Sequence, residues 1–230
     1  MVTVIFIDLV GSSRARERRD ELQQRLLALR DRHNRELRDQ LVAPFELVSG
    51  DELKGALADP RLVWAAYCTS YETMAGIPFY FSVGFGTIDT TTGYEATKSI
   101  NFLDGTAFKA ARDAMDELKA RAKVIRPYRL RFGSAGNPHF TEALNAYVGV
   151  LNDLVQHMTA AQRQHFVREF PWNGPGTASP ADVSRQAVWE TLQRARIDAY
   201  REANRGIEAL LQLAFEHEAL VLPGKVAFGR

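Results

Sequence analysis

Short apolar runs alternate with longer amphipathic stretches over the first 130 or so residues of the chain. The apolar runs predict strands at 2–7, 45–48, 53–57, 79–88 and 124–132. Between them, apolar residues at helical spacing predict helices at about 12–40, 60–74 and 104–120. Gly84 and Gly86 share one face of the fourth strand, which indicates the close approach of another backbone or of a ligand.

The remainder of the chain is predicted to be mostly helical. Helices are expected at about 139–157, 159–170 and 182–218, with a break rich in Pro and Gly at 171–176. The segment 134–138 is the predicted boundary between two domains, at 1–133 and 138–230. Taken with the order of strands and helices before it, this predicts an α+β fold in which a ferredoxin-like antiparallel sheet precedes a helical domain.

Composition and charge exclude several classes of protein. The chain is 46% apolar and 25% charged, which is typical of a globular protein, and its net charge of +1 predicts no general attraction to nucleic acid or to an anionic membrane. No apolar run approaches 18 residues, so no membrane span is expected. Cys68 is the single cysteine, which excludes a disulfide framework. The first strand begins without a basic leader, so a cytoplasmic location is expected.

The candidate chemistry lies in two acidic turns. Asp8 follows the first apolar run directly, and Asp51 occupies the bend of a predicted hairpin. If the first strand lies beside that hairpin, the two carboxylates are about 4.8 Å apart, one strand spacing. This separation suits divalent cations in phosphoryl chemistry, with Mg²⁺ or Mn²⁺ as the cofactor. The alternative interpretation is that Asp8 caps a helix and Asp51 fills a turn.

The two turns carry a resemblance to known proteins. The segment 6–13, Phe-Ile-Asp-Leu-Val-Gly-Ser-Ser, and the segment 48–52, Val-Ser-Gly-Asp-Glu, resemble the metal-binding motifs of class III nucleotidyl cyclases. That resemblance covers roughly residues 1–132. The second segment is also similar to the Gly-Gly-Asp-Glu-Phe hairpin of diguanylate cyclases. The whole pattern looks more closely like the SatD family of bacterial proteins, which pairs such a domain with a C-terminal helix-turn-helix.

The resemblance implies a nucleoside triphosphate as ligand and cyclisation of it as the activity. Asp8 and Asp51 would bind the metal ions and act in catalysis, and the backbone carbonyl of Leu9 would add a ligand. The strand-to-helix junction formed by Gly11, Ser12 and Ser13 presents backbone N–H groups that could hold a phosphate.

A third motif is expected on the helix at 104–120. Class III cyclases carry an asparagine and an arginine one helical turn apart, and Arg112 matches the arginine, which stabilises charge on the α-phosphate. Phe108 stands where the asparagine is expected. In these cyclases the metal acids and this arginine come from different subunits, so the resemblance implies a homodimer in which Arg112 acts across the interface. Arg112 as a plain exposed helix residue is the alternative.

The base of the nucleotide is left open. In adenylyl cyclases a purine-selecting lysine precedes the Gly-Asp pair by about three residues, and here Leu47 occupies that place beside Glu46. Adenine specificity is therefore not supported. Glu52 matches an acid that takes part in catalysis in diguanylate cyclases, and a solvent-facing strand residue is the alternative.

A second function is considered for the C-terminal half. The segment 184–195 resembles the recognition helix of a helix-turn-helix, in which Arg185, Gln186 and Arg194 would contact DNA. The segment that should form the preceding helix, 174–180, contains two prolines and two glycines, so a plain packing helix is the alternative. The corresponding function is a regulatory DNA-binding protein with an inactive cyclase-like domain for dimerisation or sensing.

Overall fold

The structure is a computed structural model that describes residues 1–11, 19–48, 50–74, 77–121, 129–134, 136–159, 162, 186, 190–191 and 197–221. The strands are β1 (Val2–Leu9), β2 (Leu41–Val48), β3 (Glu52–Leu57), β4 (Phe79–Gly86), β5 (Asp89–Thr90), β6 (Leu103–Asp104) and β7 (Leu130–Ser134). The helices are α1 (Arg19–Glu36), α2 (Leu62–Thr73), α3 (Tyr94–Thr97), α4 (Thr106–Arg121), α5 (Pro138–Gln156) and α6 (Ile197–Val221), with short 3₁₀ turns at Arg38–Gln40 and Ile100–Phe102. In this part of the chain no helix has the length and apolar character that a membrane span needs.

Five strands form one mixed sheet in the order β2-β3-β1-β4-β7. The central strand β1 is antiparallel to both β3 and β4, and β7 is parallel to β4. Parallel neighbours need a crossover connection, which α4 provides here. The predicted α+β class is therefore confirmed, but the predicted all-antiparallel sheet is wrong at β7, because α4 brings that strand back parallel to β4.

The alternation of side chains along β1 separates two apolar cores. Ile5 and Ile7 are fully buried on one face, in a cluster that includes side chains of α1, α2, α5 and α6. Val4 and Phe6 are buried on the other face, in a second cluster formed largely with α4. Because successive residues of a strand point to opposite faces, one apolar strand can serve both cores. The sheet is therefore covered by helices on both sides.

The two glycines of β4 allow α4 to lie directly on the sheet. A Cβ atom added at Gly84 would lie 2.1 Å from the carbonyl oxygen of Ala107, and one at Gly86 would lie 2.5 Å from Oγ1 of Thr106. Both distances are far shorter than a carbon atom tolerates. The prediction of a close backbone approach at these glycines is confirmed, and the approaching backbone is that of α4.

The opposite face of β4 is covered within the same chain. Phe81 and Phe85 are completely buried, and Phe81 meets the ring of Tyr67 from α2 edge-on, with 5.4 Å between ring centroids. The sequence also led us to expect β4 to continue to residue 88. The strand ends at Gly86, because the N–H of Thr87 donates to Oγ1 of Thr106 and its carbonyl accepts from Ala107 at the start of α4.

Both outer strands of the sheet bond to an asparagine side chain from a helix. Asn145 of α5 accepts from the N–H of Phe132 in β7 at 2.8 Å and donates to its carbonyl at 2.9 Å. Asn34 of α1 makes the same pair of bonds to Phe45 in β2, at 2.7 and 2.9 Å. Phe45 lies at an irregularity in the β2–β3 pairing. A primary amide carries one acceptor and one donor group, so it satisfies both groups of a single backbone residue.

The C-terminal helices contribute to the same core as the sheet. Leu144 and Val148 of α5, and Ile207 and Leu211 of α6, are buried in the cluster that contains Phe132. Tyr147 also donates from its hydroxyl to the carbonyl of Ala203, at 2.9 Å. The predicted division into 1–133 and 138–230 stays a prediction, and these contacts determine how it should be tested.

Candidate active site

The two acidic turns meet at one end of the sheet. Asp8, near the end of β1, lies opposite Glu52 of β3 and opposite Tyr80 of β4. The backbone N–H of Leu9 donates to the carbonyl of Asp51 in the β2–β3 turn, at 3.4 Å. The first strand thus lies beside the hairpin, as the spacing argument requires. Strand pairing places Asp8 beside Glu52, and the β2–β3 turn adds Asp51 next to them.

The Asp8 carboxylate is poorly solvated and surrounded by negative charge. Its side chain is only 13% exposed. Burial raises its pKa, the hydrogen bond and charge of Lys119 lower it, and the charges of Asp51 and Glu52 raise it again, with a net increase. A nearby cation favours the ionised form of a carboxylate in such a place.

Lys119, in the last turn of α4, provides that cation in the structure. Its ammonium group forms an ion pair with Oδ2 of Asp8. Burial lowers the pKa of Lys119, but the hydrogen bond and charge of Asp8 raise it, with help from Glu52 and Asp116, so the net shift is upward. Lys119 therefore stays protonated at neutral pH.

The face of the sheet next to Asp8 carries two further cations around one aromatic ring. Lys54 of β3 lies 3.1 Å from the carboxylate of Glu52, and its ammonium is 4.7 Å from the centre of the Phe6 ring. The guanidinium of Arg112 is 5.8 Å from the same ring centre. Because Phe6 and Asp8 are two residues apart on β1, both point to this face. The face therefore carries carboxylates at its end and cations beside them.

The predicted third motif lies on this face, where one of its two residues is exposed and the other is buried. Arg112 is exposed on α4, beside the sheet of its own chain. Phe108 is buried, with its ring centre 6.0 Å from that of Phe6. Phe108 thus belongs to the apolar core beneath α4, where its ring packs against Phe6 of the same chain.

The other predicted site residues fall in different places. Leu9 is buried at the end of β1, and Gly11 is exposed with a positive φ of 74°. Ser12 and Ser13 lie outside the described residues, as do Arg185 and Arg194. Gln186 is exposed, and its side-chain amide donates to Glu190 at 3.3 Å. The helix-turn-helix and its DNA contacts stay a prediction.

A divalent cation fits this site by ligand type. Within the described residues, no three His, Cys, Asp or Glu side chains are grouped closely enough to hold a metal ion by themselves. Mg²⁺ is commonly bound through one or two carboxylates, with substrate phosphates and waters as its other ligands. Asp8 and Asp51 offer hard oxygen atoms of that kind, and a Cβ atom added at Gly50, in the exposed turn next to Asp51, would meet no atom within 4 Å. The donor set suits a metal that arrives with a phosphate ligand better than a metal alone.

Sequence reasoning missed Lys119 and Lys54 as members of the site. The helix contained a usable signal, since positions 108, 112, 115 and 119 follow each other by four, three and four residues and lie on one helical face. Lys54 follows Asp51 by three residues, and strand alternation places it on the same face as Glu52. What the sequence did not contain was which face of the sheet α4 would cover.

Comparison with known protein families gives a match to the N-terminal part of the chain. The model of the SatD family matches residues 2–136, more than half of the sequence. That range begins with β1 and ends just beyond β7, so it includes the whole five-stranded sheet and α4. No curated protein and no solved structure matches the chain.

Proposed function

The chain belongs to the SatD family, and we propose that it binds a nucleoside triphosphate together with Mg²⁺ or Mn²⁺ at the Asp8 end of the sheet. We propose further that the bound nucleotide is cyclised slowly, in the manner of a nucleotidyl cyclase. The observation that carries the proposal is the meeting of Asp8, Asp51 and Glu52 at the end of two paired strands, one of which is the central strand.

The topology supports the same proposal. In a ferredoxin-like sheet, β1 lies between the third and fourth strands and is antiparallel to both, with the second strand at the edge. The order β2-β3-β1-β4 and the two antiparallel pairings of β1 have this arrangement. Nucleotidyl cyclases and palm-type enzymes are built on such sheets, so we propose that the finer fold class is ferredoxin-like.

In the proposed reaction, the 3′ hydroxyl of the nucleotide attacks the α-phosphorus, pyrophosphate leaves, and the hydroxyl proton passes to solvent. Asp8 and Asp51 would hold the metal. A bound divalent cation would supply electrostatic stabilisation to the attacking and leaving oxygens. Arg112 lies on the same face of the sheet and would neutralise charge that develops on the α-phosphate. The position of Phe108 in the core leaves the ribose without the asparagine of the cyclase pattern, which is why slow turnover is expected.

The test is nucleotide binding and turnover by the full chain. Incubation with all four nucleoside triphosphates and Mn²⁺, with products resolved by mass, should reveal a cyclic nucleotide and its base. Calorimetry with Mn²⁺ and a non-hydrolysable triphosphate should show binding that Asp8→Asn and Asp51→Asn each reduce at least tenfold, because each removes one carboxylate ligand.

Asp39→Asn is the matched control. Asp39 is exposed in the 3₁₀ turn before β2, away from the acidic end of the sheet, and its replacement should leave binding unchanged. Metal-dependent binding that survives both Asp8→Asn and Asp51→Asn at full strength would show that the nucleotide site is elsewhere.

A further inference from the structure

The ion pair between Lys119 and Asp8 occupies the carboxylate that the proposed function gives to a metal ion. The two side chains differ in their access to solvent. Asp8 is 13% exposed and is fixed on the central strand, whereas Lys119 is 44% exposed and ends a flexible stem at the last turn of α4. The lysine is therefore the partner that can move.

An ammonium group and a divalent cation cannot both occupy the same carboxylate oxygen without strong repulsion. At about 4 Å, a single and a double positive charge repel each other enough to change an equilibrium at least tenfold even in water. Arrival of the metal must therefore displace Lys119. The displaced ammonium remains tethered beside the site and stays charged, and a phosphate oxygen is the acceptor that a metal–nucleotide complex brings there.

We propose that Lys119 is a counter-ion for Asp8 in the metal-free protein and becomes a ligand of the nucleotide's phosphates once a divalent cation takes Asp8. This inference rests on the proposed function and adds to it a residue and an order of events. It gives Lys119 opposite effects on two ligands: it weakens binding of the metal alone and strengthens binding of the phosphate chain.

Lys119→Met separates these effects, because methionine keeps most of the stem and loses the charge. Binding of Mn²⁺ alone, followed by electron paramagnetic resonance of the free ion, should become about tenfold tighter. Binding of inorganic tripolyphosphate at saturating Mn²⁺ should become about tenfold weaker. Tripolyphosphate contains no base, so the result does not depend on which nucleotide is the natural ligand. Lys119→Arg should keep phosphate binding closer to that of the wild type.

Lys109→Met is the matched control. Lys109 is exposed near the start of the same helix, at the end remote from Asp8. It should change neither affinity. If Lys119 merely held α4 against the sheet, its replacement would lower the affinity for both ligands together. Shifts in the same direction, or no shift, would overturn the inference while leaving the proposed function intact. A wild-type protein that binds neither Mn²⁺ nor the Mn²⁺–tripolyphosphate complex would overturn both.

A metal-free measurement tests the first half of the inference independently. The stabilities of Asp8→Asn, Lys119→Met and the double variant form a thermodynamic cycle. Asp8→Asn should remove most of the effect of Lys119→Met on the unfolding midpoint. If the two effects simply add, the side chains are not coupled and Lys119 is not the counter-ion of Asp8.

Discussion

Burial disfavours the charged form of an ionisable side chain, and two such residues on opposite sides of the sheet respond to it differently. Asp8 keeps a charge and acquires a cation, Lys119. His33 of α1 is 1% exposed and is kept neutral, with its pKa lowered to about 3 by burial and by the charge of Arg32. The hydroxyl of Ser70 donates to the carbonyl of Ala66, so it accepts from Nε2–H of His33. Nδ1 has no hydrogen-bond partner among the described residues, and a proton there would have no acceptor.

His33 should therefore make the protein less stable in acid. The unfolded chain binds a proton at this residue below about pH 6.5, whereas the folded protein does not until about pH 3. Stability falls as the pH drops through that window, because the unfolded state then binds more protons. Between pH 7 and pH 5 the loss due to His33 should be about 2 kcal/mol. Urea unfolding at the two pH values measures it.

A substitution isolates this contribution. His33→Gln cannot titrate, so its stability should fall by about 2 kcal/mol less than that of the wild type over the same interval. His139→Gln is the control, since His139 is exposed at the start of α5. Equal pH dependence in His33→Gln and the wild type would mean that His33 is not the group responsible.

At the scale of elements, Asn145 connects α5 to the outer strand β7. Asn145→Ala removes both bonds to Phe132 and leaves a buried N–H and a buried carbonyl without partners. Each unsatisfied group costs about 1–3 kcal/mol, so we expect a loss of roughly 2–6 kcal/mol. Urea unfolding gives the free energy, and faster hydrogen exchange of the Phe132 amide would localise the effect to β7.

Two further variants of α5 refine this prediction. Asn145→Asp can still accept from the N–H of Phe132 but faces its carbonyl with an oxygen, so it should also be destabilising. Glu142→Ala removes an exposed side chain from the same helix and should change stability by less than about 0.5 kcal/mol. If Asn145→Ala were as mild as Glu142→Ala, the two hydrogen bonds would contribute nothing.

The sequence was sufficient for the elements whose signals are local. The apolar run of β1, the hairpin at Gly50 and the start of α4 after Gly105 each follow from a few neighbouring residues. The ends of elements were less predictable, because they depend on distant partners. The strand β4 was expected to reach residue 88 but ends at Gly86. Thr87 instead forms hydrogen bonds to the first turn of α4, about twenty residues further along the chain.

The candidate site was predictable to the same extent. Asp8 and Asp51 could be brought together because strand pairing follows from the pattern of apolar residues. The pairing of Asp8 with Lys119 depends on which face of the sheet α4 covers and on how far the helix runs. The close approach of α4 to this face depends on Gly84 and Gly86, whose lack of a side chain indicated a close neighbour without identifying it.

For the molecule as a whole, α5 and α6 are needed to complete the core. A chain that ends at Gly136 loses the buried side chains Leu144, Val148, Leu151, Ile207 and Leu211. At about 1.5–3 kcal/mol each, these five contribute roughly 7–15 kcal/mol, which is comparable with the whole stability of a typical domain. We therefore expect the truncated chain to lose cooperative thermal unfolding and to bind hydrophobic dyes.

Point substitutions in α6 test the same conclusion in the full chain. Leu211 is fully buried and Leu213 is 55% exposed. Leu211→Ala should lower the stability of the whole protein by about 2–5 kcal/mol, and Leu213→Ala should have little effect. A truncated chain that unfolds cooperatively near the midpoint of the full protein would instead support an independent domain at 1–133.

The asparagine bonds at the two outer strands also limit how the protein can assemble. An outer strand ordinarily presents unpaired backbone groups on which a strand of another molecule can be templated. At Phe45 and at Phe132 those groups are already bonded to Asn34 and Asn145. At these two positions a second copy could extend the sheet only by displacing a helix-borne amide. If the chain forms the homodimer that the cyclase resemblance implies, the two asparagines favour an interface of helices or loops over pairing between outer strands.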